Sequence, residues 1–526
     1  MISEIIITLV FIAVVILIFL NKISRAIVAL TGAVIVYFTL IIDQRADFSD
    51  FTSFLLGGAD FANLHALILI LGILFIVQVC ISGGVFQFIA FKLIQMTKGK
   101  PNNLLLVFSL LAVLLGATLG NVLSVFVLIP LTIVATRILN INHSPYIIAE
   151  AILVNVGSMV FSISSIPNIL ITTYADISLI DFFINVGLYS FVLFAITMVF
   201  LHYYYRNRFV APQKKFIDIL LSYNVWNYVS DRKLFYKSLI TFLAVLICLI
   251  TIPSAIIPPD MIALSGAIIL LIISRLDGKE IIKKIDLELL LYLMGIFIIT
   301  GAMNAVGVID QLAAGISSLT GGNVFATILA ILWISAFLSS SIDNIPITQV
   351  LIPVVSDITT VYHFSAVATD SAYYSLAWGT NLGDNLTPMG DNIIVMNLAE
   401  QNERPISFRE FFKLGFIATI LQLTAVSVYF IIINNLNIGI FVIFIIIMIV
   451  ISTILFFYLR SSNKSEESLI INNILRKISN PKYRREKRLI FQQFIRKIIR
   501  IVSIKTKKQV VLSILRSIKQ FFKELM

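Results

Sequence analysis

Apolar residues run in long blocks along this chain, and polar positions interrupt them at few and specific places. Runs of membrane-spanning length, roughly 17–25 residues, lie near 3–20, 24–42, 63–94, 145–172, 182–204, 236–254, 259–275, 288–306, 365–397, 411–434 and 437–459, which predicts 11 transmembrane helices. Two further runs, 103–138 and 322–357, are too long for one crossing and are broken mid-way by Gly120-Asn121 and by Asp343-Asn344-Ile345-Pro346. Each predicts a re-entrant hairpin. The pattern therefore predicts an all-α polytopic membrane protein.

The interrupted runs repeat. At an offset of 223 positions Gly120-Asn121 falls on Asp343-Asn344 and Pro130 on Pro353, with Val, Leu, Ile and Pro in register in VFVLIP and ITQVLIP. After each hairpin comes a polar, glycine- and proline-bearing span, NVGSMVFSISSIPN (155–168) and GTNLGDNLTPMGDN (379–392), at an offset of 224. Non-helical backbone at membrane depth is tolerated only inside protein or along a cavity, because lipid cannot satisfy free N–H and C=O groups. The broken spans 145–172 and 365–397 are thus expected to line a site at the membrane midplane. Each half reads as three spans, hairpin, broken span, span, which places a first repeat over 1–205, a connector over 206–235 and a second repeat over 236–434. Inverted repeats with broken helices are the build of a secondary transporter.

Composition agrees: 59% of the 526 residues are hydrophobic and 13% charged, which excludes a soluble globular domain. The net charge of +11 is uneven. Residues 459–526 carry 18 Lys and Arg against 4 Asp and Glu, so the membrane region is slightly acidic and the tail strongly basic. Lys22 and Arg25 follow the first span, Lys92, Lys98 and Lys100 precede the first hairpin and Arg137 closes it. One topology, N-terminus outside and C-terminus cytoplasmic, puts these and Arg206, Lys214, Arg275, Lys283, Arg404 and Arg409 on the cytoplasmic side. The start of the chain has neither a basic n-region nor a small-residue cleavage site and is expected to be an uncleaved span. An extra transmembrane helix over 437–459 leads to the amphipathic basic segment 460–526. That segment suits anionic lipid or a partner protein, or is simply a positive-inside tail. No nucleic-acid-binding motif accompanies its charge. Cys80 and Cys248 lie in apolar runs, and the four histidines have no ligand spacing.

A carboxylate at the bilayer centre costs about 3 kcal/mol on insertion scales, so it persists where it has a partner, a cavity or a task. Asp343, Asp384 and Asp391 are the intramembrane candidates for acid chemistry, and all three fall in the second half. Such an acid binds a cation and, once desolvated, can exchange it for a proton. The competing reading is that one or two of them cap half-helices, Asp391 being the best placed to do so.

SSSIDNIPITQVLIP resembles the DNIP hairpin of the ArsB/NhaD group of ion transporters, which includes arsenite permeases, NhaD-type sodium/proton antiporters and the P protein. NLGDNLTPMGD is similar to the arsenite-permease loop NLG-x-x-LTP-x-G, and NVGSMVFSISSIPNILI to the NIGG…GDPPN loop of the NhaD and P-protein branches. The resemblance covers about residues 1–459. It implies a transport domain of two hairpins and two broken spans moving against a scaffold that often forms a homodimer. It further implies Asn121 and Asn344 at the hairpin tips, Asn155, Gly157, Ser164, Ser165 and Asn168 along the first ion loop, and Asn381, Asp384, Asn385, Thr387, Asp391 and Asn392 along the second. Sodium would sit near Asn121, Asn155 and Ser164 and near Asp343 and Asp384. The first tip lacks the hydroxyls of the carboxylate carriers, and Ser164-Ser165-Ile166-Pro167 replaces Gly-Asp-Pro-Pro, which speaks against a dicarboxylate.

The expected activity is secondary transport of an inorganic or small organic anion, an arsenite-like oxyanion being one candidate, coupled to H+ or Na+ and with no other cofactor. A sodium/proton antiporter is the alternative. An intramembrane aspartyl protease would need a Gly-x-Gly-Asp pattern that Asp384 lacks, and would leave the repeat unexplained. The chain is therefore expected not to be an enzyme.

Overall fold

A computed structural model describes residues 2–20, 22–58, 60–206, 209–229, 231–341, 343–388 and 392–435. The expected helix over 437–459, the basic tail and Asp391 lie outside these residues. All regular structure among the described residues is helical, and the helices form two series. The first comprises α1 (Ile2–Phe19), α2 (Arg25–Ile42), α3 (Phe48–Leu56), α4 (Ala62–Ser82), α5 (Val85–Met96), α6 (Pro101–Leu119), α7 (Asn121–Leu139), α8 (Ser144–Gly157), α9 (Ile166–Tyr174), α10 (Leu179–Phe182) and α11 (Leu188–Tyr205). A connector helix, α12 (Lys214–Ser222), follows. The second comprises α13 (Arg232–Thr251), α14 (Pro259–Ser274), α15 (Gly278–Lys284), α16 (Leu287–Ala305), α17 (Val308–Thr320), α18 (Val324–Ser339), α19 (Asn344–Val361), α20 (Ala366–Gly383), α21 (Asn392–Gln401) and α22 (Phe408–Asn435). Residues up to Ser427 form one compact unit; of the second, only the end of α22 is described.

Ten of these helices are long and apolar enough to cross a membrane, or eleven if α17 and α18, which meet at a bend of 119°, are one span. The outermost helices show what solvent they face. On α1 the side chains of Ile2, Ile5, Leu9, Ile12 and Ile16 are exposed, and on α13 those of Ile240, Leu243 and Ile247. Apolar surface of that extent in a polytopic chain is covered by lipid. The interior is the reverse. Every residue of α8 is buried, as are all residues of α20 from Ser371 to Gly383.

The breaks have local causes. At Gly120 the backbone takes φ +75°, ψ −179°, a conformation open essentially to glycine, and α6 passes into α7 through this one residue. A Cβ there would also stand 2.9 Å from the Ser164 carbonyl oxygen. The second hairpin is interrupted between Ser339 and Asn344, and the Asp343 carboxylate accepts from the Ile345 N–H at 3.0 Å as the N-cap of α19. The broken spans end their first segments at Gly157 and Gly383, pass through 3-10 turns and restart at α9 and α21.

Two expectations need correction. The run 63–94 is not one helix: it divides at Gly83-Gly84, where Gly84 has φ +73° and a Cβ would lie 2.1 Å from the Tyr228 carbonyl oxygen. Its counterpart after Gly307 (φ +82°), the helix α17, lies in a stretch that no apolar run assigned. The offset between the broken spans is also revised. Gly157 and Gly383, the last residues of α8 and α20, are 226 positions apart, so Asn155 matches Asn381 and Ser158 matches Asp384.

The two series interlock. Helix α2 packs along α16 and α14 along α4; α6 packs on α8 and α18 on α20; α9 packs on α19 and α21 on α7. The tightest of these contacts need glycine. A Cβ at Gly157 would meet the Val113 carbonyl oxygen at 2.4 Å, and one at Gly383 the Ala336 carbonyl oxygen at 2.4 Å. Small residues are how helices in a membrane bring their backbones together.

Candidate functional site

The two loops that follow α8 and α20 meet in one buried polar network. Asn155 Nδ2 donates to Asn385 Oδ1 at 2.8 Å, and Asn381 Nδ2 donates to Asn168 Oδ1 at 2.9 Å. Each half thus supplies an asparagine from the end of its broken helix to an amide of the other half. The Ser158 hydroxyl donates to Asn381 Oδ1 at 3.3 Å, and Asn385 Nδ2 to the Ile152 carbonyl at 3.0 Å. Within the loops, Asn168 Nδ2 holds the Ser158 carbonyl at 2.8 Å and Asn392 Nδ2 the Asp384 carbonyl at 2.7 Å. These are backbone oxygens released where the helices stop, and in so dry a place each requires a donor.

Hairpins and loops are tied to one another by matched hydroxyls. Ser164 Oγ donates to the Ala117 carbonyl at 2.6 Å, and Thr387 Oγ1 donates to the Ser340 carbonyl. The carboxylate of Asp384, 1% exposed, accepts from Ser339 Oγ at 3.0 Å and from Asn344 Nδ2 at 2.8 Å. It therefore joins the second hairpin, both arms included, to the second loop. The equivalent place after α8 holds the hydroxyl of Ser158.

Of the expected site residues, Asn155, Asn168, Asn344, Asn381, Asp384, Asn385 and Asn392 fall within this network. Ser164 and Thr387 anchor the loops to the hairpins. Ser165 N-caps α9, accepting from the Asn168 N–H at 3.3 Å, and Gly157 is a packing contact. Asn121 is buried at the first tip, and its Oδ1 has no partner among the described residues. Asp343 is half-buried and caps α19. The hydroxyl of Thr348 bonds back to the Asn344 carbonyl at 2.7 Å.

Sequence reasoning missed Ser158 and Ser339, and it missed one acid. Glu150 on α8 is completely buried; its Oε1 accepts from Thr132 Oγ1 of α7 at 2.5 Å. The expectation that intramembrane acids belong to the second half alone is overturned by this residue. A single Glu inside SPYIIAEAILVNVG was the available signal.

A cavity of about 1370 Å³ lies between the two sets of helices. Its walls include Phe54, Asp60, His65, Ser162, Thr172, Asp260 and Gln349. His65 Nδ1 and Asp260 Oδ2 are 2.9 Å apart at this wall. The cavity reaches the first loop at Ser162-Ile163 and the helix α19 at Gln349, Ile352 and Pro353.

Comparison with known proteins bears on the same elements. Residues 15–379 match the citrate transporter family, CitMHS. The chain is 30% identical over 411 residues to the 46 kDa membrane protein of Mycobacterium leprae (strain TN), covering 78% of this chain and 94% of that protein. It is 25% identical to the P protein of Sus scrofa over 68% of this chain and 51% of that one. In fold it resembles the crystal structure of the Alcanivorax borkumensis YdaH transporter, with a TM-score of 0.50 at 14% identity over 77% of this chain and 89% of the other. The chain thus belongs to the citrate transporter family, and it is a multi-pass membrane protein and secondary transporter.

Proposed function

We propose that the protein moves a small inorganic or organic anion, with arsenite-like oxyanions among the candidates, and couples that movement to H+ or Na+ as in the ArsB/NhaD branch. One observation carries this reading: three helices, α7, α9 and α19, begin around the amide network, which α21 joins through Asn392, while a single buried carboxylate, Asp384, belongs to it. Helix N-termini present free N–H groups and positive dipole ends to an anion. The carboxylate and the freed carbonyls suit a small hard cation. In this reading α6–α7 and α18–α19 are re-entrant hairpins, residues 1–205 and 236–434 are inverted repeats, and the N-terminus is outside. The cavity along Gln349 and Ser162 then opens to the outer face, toward Asp60, Asp176 and Asp260, and serves as the entry vestibule.

Flux measurements on the purified protein in liposomes test the proposal. Uptake of a labelled oxyanion or carboxylate that depends on an imposed proton or sodium gradient is the expected result. Cation-driven proton movement with no added anion would instead make it a sodium/proton antiporter, the reading that the Asp384 carboxylate alone would favour.

A further inference from the structure

Glu150 is a charge-bearing group that neither the loop network nor the hairpin tips use. It stands seven residues, two turns, before Gly157, and so on the same face of α8 that meets Val113 of the first hairpin. Its side chain enters the space between the hairpin arms and the broken helix, about 10 Å below the break at 1.5 Å per residue. There Oε1 takes the Thr132 hydroxyl, and Oε2, also buried, has no partner among the described residues.

The elements packed against α8 offer little to neutralise a carboxylate. Helix α6 carries no titratable side chain. On α7 the one charged group, Arg137, is exposed and donates to the Asn402 carbonyl at 2.8 Å. The others are Tyr146 one turn back on α8 itself, His202 and the tyrosines of α11, Asp370 and the tyrosines of α20, Asp384, Glu400 of α21, and Arg409, Glu410 and Lys413 of α22, whose Glu410 accepts from the Ser144 hydroxyl at 3.0 Å, and none of them hydrogen-bonds to Glu150. A buried carboxyl with one donor and no counter-charge keeps a proton far more readily than one in water. Moving it toward water, or bringing a cation near, releases that proton.

We infer that Glu150 is a proton-binding site of the transport domain, taking up a proton at Oε2 when sealed between α7 and α8 and losing it when the hairpin and the broken helix part. This rests on reading the chain as an ion-coupled transporter, and it adds to that reading a titrating acid in the first half. Thr132 is its positioning residue, holding Oε1 so that Oε2 carries the exchanging proton.

The test needs no substrate, since the probe is the proton itself. Infrared difference spectra of the full-length protein in liposomes, taken between acidic and alkaline buffer, are expected to show the carbonyl stretch of a protonated carboxylic acid. The band should shift in heavy water and be lost in E150Q. Thr132→Val, which keeps the acid and removes its donor, should retain the band and move its pH midpoint. Carboxylic-acid bands that are identical in the wild-type and E150Q difference spectra, a Glu150-dependent band that does not titrate, or an unmoved midpoint in T132V would each overturn the assignment. Because the spectra do not depend on flux, a chain that titrates at Glu150 and transports none of the tested anions would count against the proposed substrate class alone.

Discussion

Asp384 and Asp343 are forty-one residues apart in a chain where either could have carried the chemistry, and their surroundings now differ. Asp384 accepts from two side chains of the second hairpin inside a sealed network. Asp343 accepts from the Ile345 N–H at a helix start, a task asparagine performs about as well. Substituting Asp384 by Asn removes the carboxylate of the network but not its hydrogen bonds: the amide oxygen can still accept from Asn344, and the amide nitrogen can donate to Ser339, whose hydroxyl proton goes to the Thr380 carbonyl at 2.6 Å. Asp384→Asn is therefore expected to abolish coupled uptake in vesicles while the protein still inserts. Asp343→Asn is expected to lower uptake several-fold less than Asp384→Asn does, and equal losses in the two variants would return Asp343 to the ion site. Six of the expected asparagines, Asn121 apart, meet in the network, since an amide carries both donors and an acceptor. Glu150 escaped notice because one acid in a fourteen-residue helix leaves the hydrophobic pattern intact.

At the scale of elements, the helix breaks were legible wherever glycine, proline or a charge marked them, as at Gly120, Asp343 and Pro167. Gly84 was hidden because apolar residues continue on both sides, and only the approach of the Tyr228 backbone shows why the chain turns there. Register was harder still. Repeated letters gave one offset for the broken spans, and helix ends give another, because a loop can conserve residue types while its helices shift. The contacts of α8 with α6 and of α20 with α18 depend on Gly157 and Gly383, where an added Cβ would stand 2.4 Å from a carbonyl oxygen across the interface. Gly157→Ala and Gly383→Ala should each cost about 1–3 kcal/mol through forced separation of the pair. Thermal unfolding of the detergent-solubilised variants checks this, and an unchanged midpoint would mean that the helices are less closely held than the structure shows. Gly278→Ala, where a Cβ would meet nothing within 4 Å, serves as the matched control.

For the whole molecule, the arrangement of the cavity yields a test of orientation. With the N-terminus outside, a cysteine placed at Gln349 or Ser162 should react with a membrane-impermeant thiol reagent added to intact cells. One at Asn155, buried inside the amide network, should not. Cys80 is buried and Cys248 half-buried, so a background with both replaced by serine or alanine keeps the signal clean. Labelling of Gln349→Cys only in inverted vesicles would reverse the assigned topology. The membrane class and the succession of long apolar helices followed from the spacing of apolar runs. The interlocking of α2 with α16 and of α4 with α14 did not, since pairs about 190 or more residues apart leave no trace in local periodicity.

The mismatch of Ser158 and Asp384 at equivalent helix ends has a consequence for heredity. Two identical chains assembled as a pair would carry the same residue at both places, so any substitution would appear twice and the site would hold two carboxylates or none. Once both halves lie on one polypeptide, a single codon can change one loop and spare the other. A site with one acid and one hydroxyl at matching helix ends thus needs two loops that are encoded separately, as the two halves of this chain are.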